Sequence, residues 1–362
     1  MIAAPEGFSH SYASARRRFY EAAQAAQLDV EAFKYRLPGR DNEVLAIDVC
    51  LDGQADAQRL LVISSGVHGV EGYCGSGIQV FALHDENLRQ AARANGVALL
   101  YIHAVNPYGF SYIRRVTHEN VDLNRNFQDF SKPLPVNLGY RDLHDLLLPK
   151  QLPPNLTNKA QVAWRMLTQD KRAFQAAVSA GQHQFADGLF YGGVEPTWSN
   201  QTLRRIVQQY CQQALRIHWI DLHTGLGPQG HGERILAAHN NAEGLRDAKR
   251  IWGDQVTSFF DGSTVSAHVN GTMLDAMPAE CPQAELHAIA LEYGTHPVQT
   301  VMQAMRAEQW LQRNPKADPV FASRIKRQLL DAFFVNTDTW KQQVVDQARQ
   351  AMLESVSSLS QN

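Results

Sequence analysis

Cysteine is scarce in this chain: Cys50, Cys74, Cys211 and Cys281 are its four, widely separated and with no CxxC pair. That spacing excludes a disulfide framework and a cysteine zinc site, and it fits a reducing compartment. Long apolar runs are missing as well. No stretch approaches the roughly 18 apolar residues of a membrane span, and the opening segment MIAAPEGFSHSYASARRRFYEAAQ lacks the continuous apolar core of a secretory leader. Nor is there an excess of one charge. With 34 Lys and Arg against 36 Asp and Glu, the formal net charge is −2, so neither nucleic acid nor a membrane surface is expected as a partner. The one compact basic cluster, ARRRF at 15–19, reads as the solvated face of a helix. A soluble, cytoplasmic protein is expected.

What is present is enough chain for a large core. The 362 residues suffice for one big α/β domain, and no internal repeat divides them. Helical periodicity over 13–27 is followed by FKYRLPG and EVLAIDVCL, which read as strands flanking a turn. RLLVISS is a short buried strand. GYCGSGIQVFALHDENLRQAARA reads as a helix and VALLYIHAV returns to strand. IHWIDL, RILAAHN and HAIALEY are apolar runs of the kind buried on both faces of a mainly parallel sheet. The predicted fold is therefore α/β, a mixed, largely parallel sheet flanked by helices. Residues 1–45 form an N-terminal extension and first strands, and 131–215, proline-rich and then mostly helical, form an elaboration within a single domain of residues 1–362. From about residue 310 an amphipathic helix runs to a tail, ESVSSLSQN, expected to fray.

In open α/β sheets ligands bind beyond the carboxyl ends of the strands. Four strand ends deliver polar residues there: SSGVHGVEGYCGSG brings His68 and Glu71, YIHAVNPYGF brings Asn106, IHWIDLHTG brings His223 and IALEYG brings Glu292. Imidazole nitrogens and a carboxylate suit zinc, whose catalytic sites keep three protein ligands and one open position. A glutamate inside an apolar strand is costly without a partner, which points to a cation beside Glu292.

A further stretch, NPYGFSYIRRVTHENVDLNRNF at 106–127, adds a carboxylate and three arginines. In order, HGVE, NPYGF with RR and VDLNRNF, DLHTG and LEYG resemble the motifs of the zinc carboxypeptidase superfamily. The resemblance spans roughly residues 55–300 and looks like a divergent branch, with features of both the carboxypeptidases and the aspartoacylase and succinylglutamate desuccinylase group. It implies one zinc ion on His68, Glu71 and His223, and Glu292 as general base. It implies Arg115 as the arginine that polarises the scissile carbonyl, with Arg114 as the alternative. Asn124 and Arg125 would hold a substrate carboxylate, and Asp122 would be the carboxylate on the His68 imidazole. The implied reaction is hydrolysis of an amide next to a free carboxylate, in a single catalytic domain, on a small peptide. Two alternatives stand beside it: a deacylase of N-acyl amino acids, and a non-catalytic metal-binding protein of the same fold. No tyrosine occurs in 254–291, where digestive carboxypeptidases place a substrate-contacting one.

Other signals are weaker. GLGPQG at 225–230 matches a dinucleotide fingerprint, but no helix opens after it, so a turn beside His223 is expected. Ser64 and Ser65 lie in no GxSxG elbow. The segment 186–200, with Phe190, Tyr191 and Trp198, is a candidate cover for the site, with Tyr191 in place of the missing tyrosine or as a packing residue. His231 and Glu233 are either cleft or loop residues, while His103, His218, His239 and His287 read as packing residues within strands.

Overall fold

The computed structural model describes residues 2–361 apart from 169, 265, 267 and 268. Its strands are β1 (Val30–Pro38), β2 (Val44–Asp52), β3 (Arg59–Ser65), β4 (Ala98–His103), β5 (Arg216–Gln229), β6 (Gly232–Leu236) and β7 (Glu285–Gly294). They form one sheet in the order β1-β2-β4-β3-β5-β7-β6. The centre, β4-β3-β5-β7, is parallel, and both edges are antiparallel. The expected mixed, largely parallel sheet is thus present.

The central strands are apolar on both faces because both faces are covered. Leu61, Ile63, Ile220, Leu222, Ile289 and Leu291 enter one core, and the alternating Leu60, Val62, Ile217, Trp219, Leu286 and Ala288 enter the other. On the first face lie α1 (Tyr12–Ala25), α2 (Gly72–His84), α3 (Glu86–Ala94) and α14 (Asp338–Ser360). The second is covered by α9 (Trp198–Tyr210) and α11 (Met273–Glu280). A short α4 (Pro107–Ser111) follows β4. Within 131–215 come α5 (Leu138–Arg141), α6 (His144–Leu147), α7 (Leu156–Thr168) and α8 (Lys171–Ser179) before α9. The remaining helices are α10 (Ala242–Trp252), α12 (Val298–Arg313) and α13 (Pro319–Phe333). Among the described residues no helix is long and apolar enough to cross a membrane.

Four local expectations change. The helix read across 72–94 breaks at Asp85, whose side chain caps α3 by accepting from Leu88 N at 3.3 Å. The tail does not fray, since Val356 and Leu359 are buried and Arg216 donates to the Leu359 carbonyl at 3.4 Å; Asn362 lies outside the described residues. His239 sits exposed beyond β6 with φ 53° rather than inside a strand. Of the three arginines at 16–18, Arg17 is solvated and Arg16 is not: it donates to both oxygens of the fully buried Asp48, at 2.7 and 2.9 Å, and Tyr20 adds a third bond at 2.9 Å. His103 does pack as expected, stacked on Phe19 at 4.6 Å with Nε2 2.8 Å from Ser76 Oγ.

Removing one member of a buried ion pair strands the other, at a cost of about 3 kcal/mol. Arg16→Ala, which leaves the fully buried Asp48 without its guanidinium, should therefore lower the urea midpoint substantially, whereas Arg17→Ala, which breaks an exposed pair with Glu21, should move stability by less than about 0.5 kcal/mol. Equal midpoints for the two variants would refute the buried pairing of α1 with β2.

Candidate metal centre and active site

The site is built from a turn and two neighbouring strands. After β3 the chain reverses at Gly66, with φ 68°, a conformation that favours glycine. It then passes so close to α4 that a Cβ on Gly69 would lie 2.0 Å from the Gly109 carbonyl carbon. Gly69 N and Val70 N donate to the carbonyls of Arg115 and Arg114 at 3.0 and 2.8 Å. These contacts fix the 3-10 turn Gly69–Glu71 and tie it to the arginine segment. Asn106 helps hold that segment, capping α4 through Gly109 N at 2.9 Å and donating to the Arg115 carbonyl at 3.3 Å. His223 and Glu292 are register partners on the parallel strands β5 and β7.

His68, Glu71 and His223 converge so that one ligand atom from each lies within 4.8 Å of the others. Each Nδ1 is 2.9 Å from a different oxygen of Glu71, and all three residues are buried. The far nitrogens meet carboxylates: His68 Nε2 is 3.1 Å from Asp122 Oδ1, and His223 Nε2 is 2.5 Å from Asp221 Oδ2. An Nε2–H of His223 directed at Asp221 would leave its Nδ1 lone pair for a cation, whereas His68 Nε2 also meets Arg115 Nη2 at 2.8 Å. His68 Nδ1 is buried and, although 2.9 Å from Glu71 Oε1, makes no well-aligned hydrogen bond to it. Two imidazole nitrogens and one carboxylate, each held from behind, fit a zinc ion.

Charge in the site is dense. Burial would raise the Glu71 carboxyl, but His68 and His223 hold it far below the usual carboxylate range. Burial would lower His223, yet Asp221 and Glu71 hold it well above the ordinary histidine value. Glu292, accepting from Leu226 N at 3.0 Å, is pushed up to about 8 by burial and then by the Glu71 charge.

The arginines divide. Arg115 bridges the cluster, donating from Nη1 to Glu71 Oε1 at 2.9 Å and from Nε to Asp122 Oδ2 at 3.0 Å. Arg114, the alternative, turns away into a buried pair with Glu308 at 2.9 Å. Arg125 lies nearby, its Nε 3.1 Å and Nη2 2.5 Å from the Ser179 carbonyl at the end of α8; burial lowers its pKa to about 10 against the pull of Asp122. Asn124 accepts from Met273 N at 3.0 Å, at the start of α11. A cavity of about 830 Å³ is lined by His68, His223, Arg115, Asn124, Arg125 and Glu292; Arg114, Tyr191, His231 and Glu233 are not in its lining. Glu233 accepts instead from Thr257 Oγ1 at 2.6 Å. Residues 225–229 of GLGPQG end β5, where the register to β7 shifts between Thr224 and Gln229, and Gly230 opens the expected turn.

One residue escaped the sequence reading, and another, Phe190 of the expected cover segment, has a more specific place than was expected. Asp221 stands two positions before His223 on the same strand face, and Ser64 Oγ donates to its other oxygen at 2.6 Å. Phe190 lies between Arg115 and Arg125, its ring centroid 5.7 and 5.5 Å from the two guanidinium carbons. It holds φ 54°, a conformation rare for a bulky residue.

Solved structures align over nearly the whole chain. Bovine thrombin-activatable fibrinolysis inhibitor, in complex with a tick carboxypeptidase inhibitor, aligns with TM-score 0.50 at 10% identity, over 98% of this chain and 98% of that one. Another structure of thrombin-activatable fibrinolysis inhibitor gives 0.51 at 9% identity, over 97% and 77%. The likeness is one of fold: the chain shares the α/β fold of thrombin-activatable fibrinolysis inhibitor. By sequence, residues 8–347 match the family described as protein of unknown function (DUF2817), and the chain belongs to that family. No curated protein matches it.

A methyl group at Gly69 would have to displace the α4 backbone, and overpacking of this kind costs about 3 kcal/mol. Gly69→Ala should thus lower the thermal midpoint by several degrees and weaken metal binding in the same variant. An unchanged midpoint would show that the turn does not depend on that close approach.

Proposed function

We propose that this protein is a zinc-dependent hydrolase of an amide bond adjacent to a free carboxylate, carboxypeptidase-like, in a single catalytic domain spanning residues 1–362. The observation that carries the reading is the convergence of His68, Glu71 and His223 with Glu292 and two arginines around one cavity. His68, Glu71 and His223 would hold the ion. When bound there, zinc supplies Lewis acidity toward a carbonyl oxygen and acidifies water.

The protein's own groups do the rest. Glu292 takes a proton from the attacking water and delivers it to the departing amine nitrogen. Arg115 stabilises negative charge that develops on the carbonyl oxygen, and Asp122 fixes the His68 ring and aligns Arg115 through its second oxygen. Asn124 and Arg125 receive the substrate carboxylate, Arg125 through the N–H groups left beyond its bonds to the Ser179 and Asn124 carbonyls. Phe190, packed on both arginines, keeps their planes in place.

One feature favours the deacylase as the second reading. Val162, Phe174 and Val178 from the 131–215 elaboration wall the cavity with apolar side chains, which suits an N-acyl amino acid. A non-catalytic binding protein would have no need of Glu292 and Arg115 together at the cluster.

The test is release of the C-terminal amino acid from matched peptides with free and amidated ends, followed by mass spectrometry, with and without chelator. Chelator-sensitive release from free-ended peptides alone is expected. Release from neither would reject the peptidase in favour of N-acyl amino acids, which are the substrates to try next. His68→Ala should lose the metal, and unchanged zinc stoichiometry would sink the ligand assignment. Glu292→Ala should keep zinc while turnover falls by at least about a hundredfold; retained turnover would remove Glu292 from the reaction.

A further inference from the structure

We infer that the substrate carries a large apolar group, seated against a wall formed by α8 and α12. The inference rests on the hydrolase reading above and gives it a substrate class.

The cavity has two chemically different parts. The metal-binding side chains and Glu292 gather at the strand ends and Asp275 borders the cavity from α11, whereas Phe174 and Val178 of α8 face the same cavity as Val301, Met302 and Met305 of α12. At about 830 Å³ the space is near the upper end for a small-molecule site. An amide and a carboxylate engage only the strand-end groups, so most of the remaining lining calls for apolar atoms. Arg306 also borders this wall, but its guanidinium is spent on the elaboration. It donates to the Leu147 carbonyl at 2.7 Å, the Leu146 carbonyl at 2.9 Å and Asn158 Oδ1 at 2.8 Å. It therefore does not create an acid-selective pocket. Met302 and Met305 are flexible and polarizable, suited to apolar groups of varying shape.

Apolar bulk can reach this wall from either side of the scissile bond, as the side chain of the residue bearing the carboxylate or as a fatty acyl chain on its nitrogen. Arg125 is tied to Ser179 at the end of α8, which puts the apolar residues of that helix beside the carboxylate end.

The experiment uses two substrate ladders on the zinc-loaded full chain: N-acylglycines from acetyl to decanoyl, and N-acetylated dipeptides ending in Ala, Val, Leu or Phe. Turnover is measured on the unaltered protein, and binding by calorimetry on Glu292→Gln. Along at least one ladder Kd should fall about fourfold per added methylene, the equivalent of ~0.8 kcal/mol, until the wall is covered; the ladder that responds identifies the source of the apolar group. Met302→Lys should flatten that slope. Hydrolysis with a flat response on both ladders would overturn the apolar wall and leave the hydrolase reading standing. Length-dependent binding without hydrolysis would do the reverse. Neither binding nor hydrolysis would reject both.

Discussion

Three carboxylates held out of water, with a half-buried fourth beside them, set the terms for everything around them. Glu71, Asp122 and Asp221 could not be buried beside Glu292 unless positive charge and hydrogen-bond donors met them from several directions. Each has such a partner: the two imidazoles and Arg115 on Glu71, His68 and Arg115 on Asp122, His223 and Ser64 on Asp221, and the Leu226 amide on Glu292. The sheet supplies rigidity for this arrangement, because β3, β5 and β7 are adjacent and parallel and release their polar residues at the same end. Glu292 is the member with the least compensation, and its carboxyl is consequently pushed up to about 8. A divalent cation between His68, Glu71 and His223 would be the missing weight in that balance.

Much of this was legible in the sequence, for identifiable reasons. A strand buried on both faces announces itself by an unbroken apolar run, and polar residues at its end stand out against it, so His68, Glu71, His223 and Glu292 could be picked without coordinates. The choice between Arg114 and Arg115 was not legible in the same way. They are adjacent, and what separates them is Glu308, nearly two hundred residues away, which draws Arg114 into a buried pair. Asp221 was in plain view in DLHTG, but the pairing of residues two apart on one strand becomes informative only once the imidazole is known to present its other nitrogen inward. Phe190 was legible only as a member of the aromatic cover segment 186–200; its place between two arginines was not, since an aromatic in a turn-rich segment is ordinarily core.

The same logic explains the misread ends of the chain. Three successive arginines look solvated until β2 is seen to bury Asp48 against the helix that carries Arg16. The serine-rich end of α14 looks like a fraying terminus, but its small residues allow the helix to lie against its neighbours, with Ser355 bonded to Trp252 at 2.8 Å. In both places a long-range partner overrode local composition.

The separation along the chain of the residues that meet at the centre has one more consequence. Glu71 and His223 are 152 positions apart, and the whole 131–215 elaboration lies between them. An ion gripping both acts as a cross-link closing that loop, and it removes freedom from the unfolded chain much as a disulfide would. Closure entropy grows only logarithmically, so doubling such a loop costs about 0.6 kcal/mol. The elaboration that walls the cavity can therefore lengthen, shorten or be rebuilt for another substrate at almost no expense to the centre it encloses.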